Sequence, residues 1–368
     1  MRAPPVRAPR KAGARASRRR GGPPALRRGE TERRPRASHG AGRTARVLRS
    51  RRPARRGALR AAEALEVRPD RPSATAEMVC SWRAVEGLLP AEARLVHDPY
   101  ARGFLGPVRA RLLDAVERLP PRARIALWRG ADRLLRGIVS FVLARHRAMD
   151  EALCAQEGLR QVVLLGAGYD SRSVRLEPFL RGARLFEVDH PATAARKASL
   201  APRVFGDAPR AEVVSVRVDF ARESLEERLL AAGLRPGERT FWIGEGVSMY
   251  LPEESVAATL DLVARLSAPG AHLLFDAWCP PAGGLAGRIV RRLPALALRL
   301  VASEPFDWAP APSALASFVA AHGLALREVL SGEELLLRYG GARLARRARG
   351  VLGAGGLRLC VAEVAGAA

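Results

Sequence analysis

The 368-residue chain is 48 % hydrophobic and carries a formal net charge of +25, but residues 1–60 hold 21 Arg or Lys against Glu30 and Glu32, leaving only +6 for the remaining 308 residues. That length can bury a substantial core, as one large domain or two ordinary ones, and no 18-residue apolar run is present to span a membrane. Cys80, Cys154, Cys279 and Cys360 lie far apart without C-x-x-C spacing, which excludes a disulfide framework or a cysteine-based zinc site and suits free thiols in the cytoplasm.

Residues 1–73 read as a disordered Arg-rich tail, rich in Gly and Pro and without hydrophobic periodicity. Such a tail can contact nucleic acid or acidic surfaces. Lys11 and Lys197 are the only lysines, however, and the bias toward Arg, Ala, Gly and Pro runs on through the chain. A dispensable segment is therefore the preferred reading.

Order is expected from about Ala76. Trp82, Val85, Leu88 and Leu89 recur at helical spacing until Pro90, and Asp98-Pro99 signals a turn. Val108–Glu117 and Ile125–Cys154 are again helical, with Leu134, Ile138, Phe141 and Val142 predicted on one apolar face. From 161 the texture changes to short apolar strands, each closed by a turn or an acid. Val162–Leu165 meets Gly166, 184–188 is closed by Asp189, 213–218 by Asp219, 240–244 by Glu245 and 272–275 by Asp276. Helices lie between them, the clearest carrying Val256, Leu260, Val263 and Leu266 after Pro252 and Glu253-Glu254. An amphipathic helix over 286–301 and two last strands, Leu324–Leu330 and Leu357–Val364, paired as a hairpin, complete the prediction. Strand–helix alternation of this kind makes an α/β fold with a mainly parallel sheet covered on both faces.

In such a sheet the ligand lies outside the carboxyl ends of the strands. Gly166 and Gly168 after the first strand let the backbone turn and approach a ligand closely, and Asp170 and Ser171 suit a helix start. Asp189 stands 21 residues after Gly168, where a dinucleotide fold places the acid that holds ribose hydroxyls. Ser171 occupies the place of the third glycine of the pyrophosphate fingerprint, so the loop suits a ligand without a diphosphate. S-Adenosyl-L-methionine is one, and Glu245 suits its ammonium group. An NAD(P)-dependent oxidoreductase is the alternative that Ser171 disfavours. A nucleic-acid methyltransferase, suggested by the tail, lacks an Asn/Asp-Pro-Pro-Tyr/Phe motif.

Three stretches together, Val163-Leu-Leu-Gly-Ala-Gly-Tyr-Asp-Ser-Arg172, Phe186-Glu-Val-Asp-His-Pro191 and Gly244-Glu-Gly-Val-Ser-Met-Tyr-Leu-Pro252, resemble the leucine carboxyl methyltransferase family, and most closely its bacterial branch. Ala74–Leu105, with Arg83-Ala84 and Asp98-Pro-Tyr-Ala101, and Ser303–Trp308 extend the resemblance over about residues 74–366. It implies a class I methyltransferase fold with a Rossmann-like seven-stranded sheet over 159–366 and an N-terminal helical addition over 74–158. It also implies cofactor roles. Gly166 and Gly168 border the methionine part of the cofactor, Asp189 takes the ribose, Asp219 and Phe220 hold the adenine, and Glu245 lies near the amino-acid end. Arg145 pairs with the cofactor carboxylate. The expected reaction is O-methylation of a small-molecule carboxylate or hydroxyl. A carboxylate needs no base; a hydroxyl does, and His190, His272 and Tyr250 are candidates. No metal is implied.

Overall fold

Five consecutive buried positions, four of them apolar, make β1 (Gln161–Leu165) a strand covered on both faces, and it lies in the interior of a seven-stranded sheet. A computed structural model describes residues 72–220, 222–279, 307–346 and 356–366. β1 pairs in parallel with β2 (Arg184–Asp189) on one side and β4 (Thr240–Gly244) on the other. β3 (Glu212–Arg217) extends the sheet beyond β2, and β5 (His272–Trp278) extends it beyond β4. The order is β3-β2-β1-β4-β5-β7-β6, with β7 (Leu357–Val364) antiparallel to both β5 and β6 (Leu324–Ser331). Period-two alternation divides the core between two layers. Val162, Leu164, Phe241 and Ile243 pack on one face, and Val163, Leu165, Trp242 and Phe275 on the other.

The helices preceding the sheet are α1 (Ala74–Glu86), α2 (Pro107–Glu117), α3 (Pro121–Leu134) and α4 (Ile138–Cys154). α1 begins where the Ser73 hydroxyl accepts from the Ala76 N–H at 3.1 Å. Proline fills the first position of α2 and of α3, where its missing N–H costs no helical bond. Around the sheet run the single turns α5 (Arg172–Arg175) and α6 (Glu177–Leu180), then α7 (Pro191–Phe205), α8 (Leu225–Ala231) and α9 (Glu253–Leu266). α10 (Leu315–Ala321) and α11 (Gly332–Ala345) complete the described helices, none of which is long and apolar enough to cross a membrane.

Three expectations are corrected. The run 125–154 is two helices, because the backbone turns at Leu135–Gly137, where Arg136 takes φ 51°. That break leaves Leu134 82 % exposed and off the face shared by Phe141 and Val142. β5 does not stop before Asp276 but continues to Trp278, since Asp276 is buried with an arginine partner. β6 and β7 pair antiparallel but form no tight hairpin: α11 intervenes, opened by a capping box between Ser331 and Glu334. The predicted helix at 286–301 and the tail through residue 71 lie outside the described residues.

Candidate active site

A cleft of about 190 Å³ opens at the carboxyl ends of β1, β4 and β5, walled on its outer side by α1 and on a flank by α4. The loop after β1 forms its edge. Gly166 has φ +64°, and a Cβ there would meet Val247 Cγ2 at 2.6 Å; Gly168 has φ +51°, and a Cβ would meet that of Ala76 at 3.1 Å. Only a residue without a side chain fits both demands. The loop is pinned to β2: the Ala167 N–H donates to Val188 O at 3.0 Å, and the Gly168 N–H donates to Asp189 Oδ2. Asp189 Oδ1 accepts from the His190 N–H at 2.7 Å. Burial lifts the Asp189 carboxyl above its ordinary pKa, and the two N–H donors oppose that rise.

Behind the loop lies a buried lattice of arginines and carboxylates. Arg145, on α4 and only 3 % exposed, donates through Nη1 to Asp276 and lies 3.4 Å from Glu245 Oε1 through Nη2. Asp276 Oδ1 also accepts from the Gly246 N–H at 2.6 Å, tying the loop after β4 to mid-β5. Arg172 Nε donates to Asp150 at 2.6 Å, Nη1 to Asp170, and Nη2 to Glu245 Oε2 at 2.9 Å. Arg175 Nη1 reaches Asp150 Oδ2 at 2.7 Å, and its Nη2 lies 2.7 Å from His146 Nε2. A guanidinium only donates, so Nε2 is the acceptor and the ring proton sits on Nδ1, directed at Glu245 Oε2 2.9 Å away. The 3.0 Å approach of Arg172 Nη2 to Nδ1 is then two donors converging on one carboxylate oxygen. Burial opposes ionisation of Glu245, but His146, Arg172 and Arg145 hold its pKa well below the usual carboxylate range.

His146, Asp170 and Glu245 bring ligand-type atoms within 4.8 Å of one another. Arg172 supplies the positive charge at that point, donating to Asp170 and Glu245. The cluster is thus organised around a guanidinium.

Arg83 joins α1 to the glycine loop. Its Nε donates to Asp98 at 3.0 Å and its Nη2 to the Tyr169 carbonyl at 2.6 Å. Asp98 in turn accepts from the N–H groups of Tyr100 and Ala101. The Asp98-Pro-Tyr-Ala101 stretch is therefore a capped turn that neutralises the arginine holding the loop.

Of the residues singled out in the sequence, Arg145, Gly166, Gly168, Asp189 and Glu245 line one cleft. Asp219 and Phe220 do not line it. They follow β3, where the Val218 N–H donates to Asp189 O at 3.0 Å, and the Phe220 side chain is 49 % exposed. Among the candidate bases, Tyr250 lines the cleft. His190 caps α7 through Nδ1, accepting from the Ala192 N–H at 3.3 Å. His272 opens β5 at the opposite end of the sheet, packed against Phe241. Sequence reasoning missed Arg172, Arg175 and Asp150. Their spacing was the available signal: Arg172 and Arg175 stand three apart, His146 and Asp150 four apart, as one helical face requires.

A sheet of this order with β7 antiparallel, a Gly-x-Gly loop after β1 and an acid closing β2 define a class I methyltransferase, whose cofactor is S-adenosyl-L-methionine. Within that class the chain belongs to the leucine carboxyl methyltransferase family, whose sequence profile matches residues 76–264. A relative from Parafrankia sp., described as a candidate S-adenosyl-L-methionine-dependent methyltransferase, is 39 % identical over 209 residues, 55 % of this chain and 62 % of the relative. One from Mycobacterium tuberculosis with the same description is 31 % identical over 271 residues, covering 71 % of this chain and 83 % of the relative. A solved methyltransferase candidate from Thermobifida fusca aligns at 16 % identity and TM-score 0.43 over 77 % of this chain and 98 % of that one.

Proposed function

We propose that the protein transfers the methyl group of S-adenosyl-L-methionine to an oxygen of a small-molecule acceptor, with residues 74–366 as its catalytic unit in the cytoplasm. The observation that carries this reading is the Asp189 carboxylate, fixed by the Gly168 and His190 N–H groups at the edge of the cleft. An ionised carboxylate with its backbone bonds made still has lone pairs for two ribose hydroxyls. At the other side of β1, Glu245 suits the cofactor's ammonium group. Arg145 suits its carboxylate, because the buried Arg145 Nε meets no acceptor within the protein. Gly166 and Gly168 leave room for the methionine chain, and Asp219 and Phe220, next to Asp189 along the sheet edge, suit the adenine.

Bound, the cofactor supplies an activated methyl on a sulfonium. The chain's own residues supply position: the ion lattice fixes Arg145 and Glu245, and the pinned loop fixes Asp189, so that alignment with the acceptor accounts for most of the rate. Calorimetry with S-adenosyl-L-methionine tests the reading. Binding to the parent protein is expected, with Asp189→Ala losing roughly 1.5–3 kcal/mol, about 10- to 150-fold in affinity. No binding by the parent, or no loss in the variant, refutes it.

A further inference from the structure

The cleft has two ends of opposite character. Asp189 closes β2, on one side of β1, while Trp278 ends β5 and Leu357 begins β7, on the other. Around Trp278 and Leu357 the wall is continued by Trp82 from α1, Ile138 and Val142 from α4, and Met249 after β4, none of them charged. Gly356 lies so close to the six-membered part of the Trp278 ring that a Cβ would come within 2.5 Å of it.

Every arginine lining the cleft among the described residues already has carboxylate partners, Arg83 in Asp98, Arg145 in Asp276 and Glu245, and Arg172 in Asp150, Asp170 and Glu245, and the Arg145 Nε left over is the atom assigned above to the cofactor's own carboxylate. Together with Arg175 these four cations face Asp98, Asp150, Asp170, Glu245 and Asp276, and Asp189 adds a further carboxylate at the edge. Among the described residues the wall itself holds three arginines, Arg83, Arg145 and Arg172, against three acids, Asp170, Asp189 and Glu245. That balance leaves no spare cation for a second anion. Among the described residues none that lines the apolar end is charged, so a carboxylate brought there would be desolvated without a counter-charge in that lining, at a cost of several kcal/mol. An aromatic ring would gain about 25 cal/mol per Å² of apolar surface buried against side chains such as Trp82, Val142, Met249 and Leu357.

We infer that the apolar end is the acceptor subsite and that it takes a neutral aromatic hydroxyl compound in preference to a carboxylate; the inference rests on the cofactor reading above. In the transfer, a lone pair of the acceptor's hydroxyl oxygen forms the O–CH3 bond as the CH3–S bond breaks and its electron pair stays on sulfur. The hydroxyl proton passes to a water molecule, which acts as the base that a hydroxyl acceptor needs.

The test uses the full chain saturated with S-adenosylhomocysteine and a matched pair of probes, 2-naphthol and 2-naphthoate, titrated against tryptophan fluorescence. At pH ~7.5 the phenol is neutral and the carboxylate ionised. Naphthol is expected to bind at least about tenfold more tightly, and the quench it causes is expected to shrink in Trp82→Phe and Trp278→Phe. Equal or tighter binding of naphthoate overturns the inference, as does binding of neither probe while the homocysteine product binds. If calorimetry shows that the product itself does not bind, the cofactor reading has failed and the inference falls with it.

Discussion

Replacing Arg172 by methionine tests whether the ion lattice behind the glycine loop holds the site together through charge. The side chain is 1 % exposed and donates to Asp150, Asp170 and Glu245 at once. Burial by itself would raise the pKa values of all three acids, yet the surrounding arginines, helped at Glu245 by the His146 Nδ1–H, bring each below its ordinary value. Removing the central cation leaves these carboxylates buried and under-compensated, which costs about 3–5 kcal/mol. That is a large share of the roughly 5–15 kcal/mol by which a domain is stable. The sign of the pH dependence follows. Depressed carboxylates contribute stability that is present above their unfolded pKa and lost as pH falls through their folded values. The variant lacks much of that contribution, so its deficit against the parent should be largest near pH ~7 and smaller near pH ~4, where the carboxylates can accept protons. Urea unfolding followed by tryptophan fluorescence at both pH values measures this. Arg172→Lys restores a charge but not a planar fork able to reach three acids, and should recover part of the loss. A methionine variant within about 1 kcal/mol of the parent, or a deficit equal at both pH values, refutes the reasoning.

Glu86 makes a prediction of opposite sign. It is fully buried, one oxygen accepts from the Leu95 N–H at 2.6 Å while the other has no partner, and burial pushes its pKa up to about 8. Its ionisation therefore costs stability progressively as pH rises from the unfolded value near 4.5 to about 8. Glu86→Gln should gain about 1–3 kcal/mol on the parent between pH ~6 and pH ~9; parallel curves for the two proteins would contradict this. Gly166→Ala should lose about 1 kcal/mol from its left-handed backbone and more from the clash with Val247. Adding Val247→Ala should return the clash share alone, a coupling of about 0.5–3 kcal/mol in a double-mutant cycle of unfolding free energies; strict additivity would show that the contact does not matter.

The central strands were legible because burial on both faces leaves an unbroken apolar run, as in Val162–Leu165. The same rule misplaced the end of β5. An acid inside a strand reads as a terminus until its partner is known, and Arg145, which neutralises Asp276, stands 131 residues away in the sequence. The lattice was obscured for a related reason. In a chain whose basic residues are nearly all arginine, a buried guanidinium carries no compositional mark, and Arg172 differs from its neighbours only in what surrounds it. The helix between β6 and β7 was legible and went unread: Ser331 and Glu334, three apart before Leu335 and Leu336, are the signature of a capped start. Two of the three proposed bases, His190 and His272, fell away because a histidine at an element boundary is equally suited to capping or packing.

α1 contributes no strand to the sheet, yet Met78, Val79 and Trp82 reach into the cleft from it, and Ala76 presses on Gly168. In the proposed assignment, recognition of the two ligands is divided between different parts of the chain: the β1 loop and β2 would take the cofactor, and α1 would supply one wall of the space left for the acceptor. Substitutions at Val79 and Trp82 would then be expected to change what is accepted, whereas Ala76 and Arg83 on the same helix also hold the glycine loop. One helix of 13 residues thus carries both a wall of the cleft and the brace of its glycine loop.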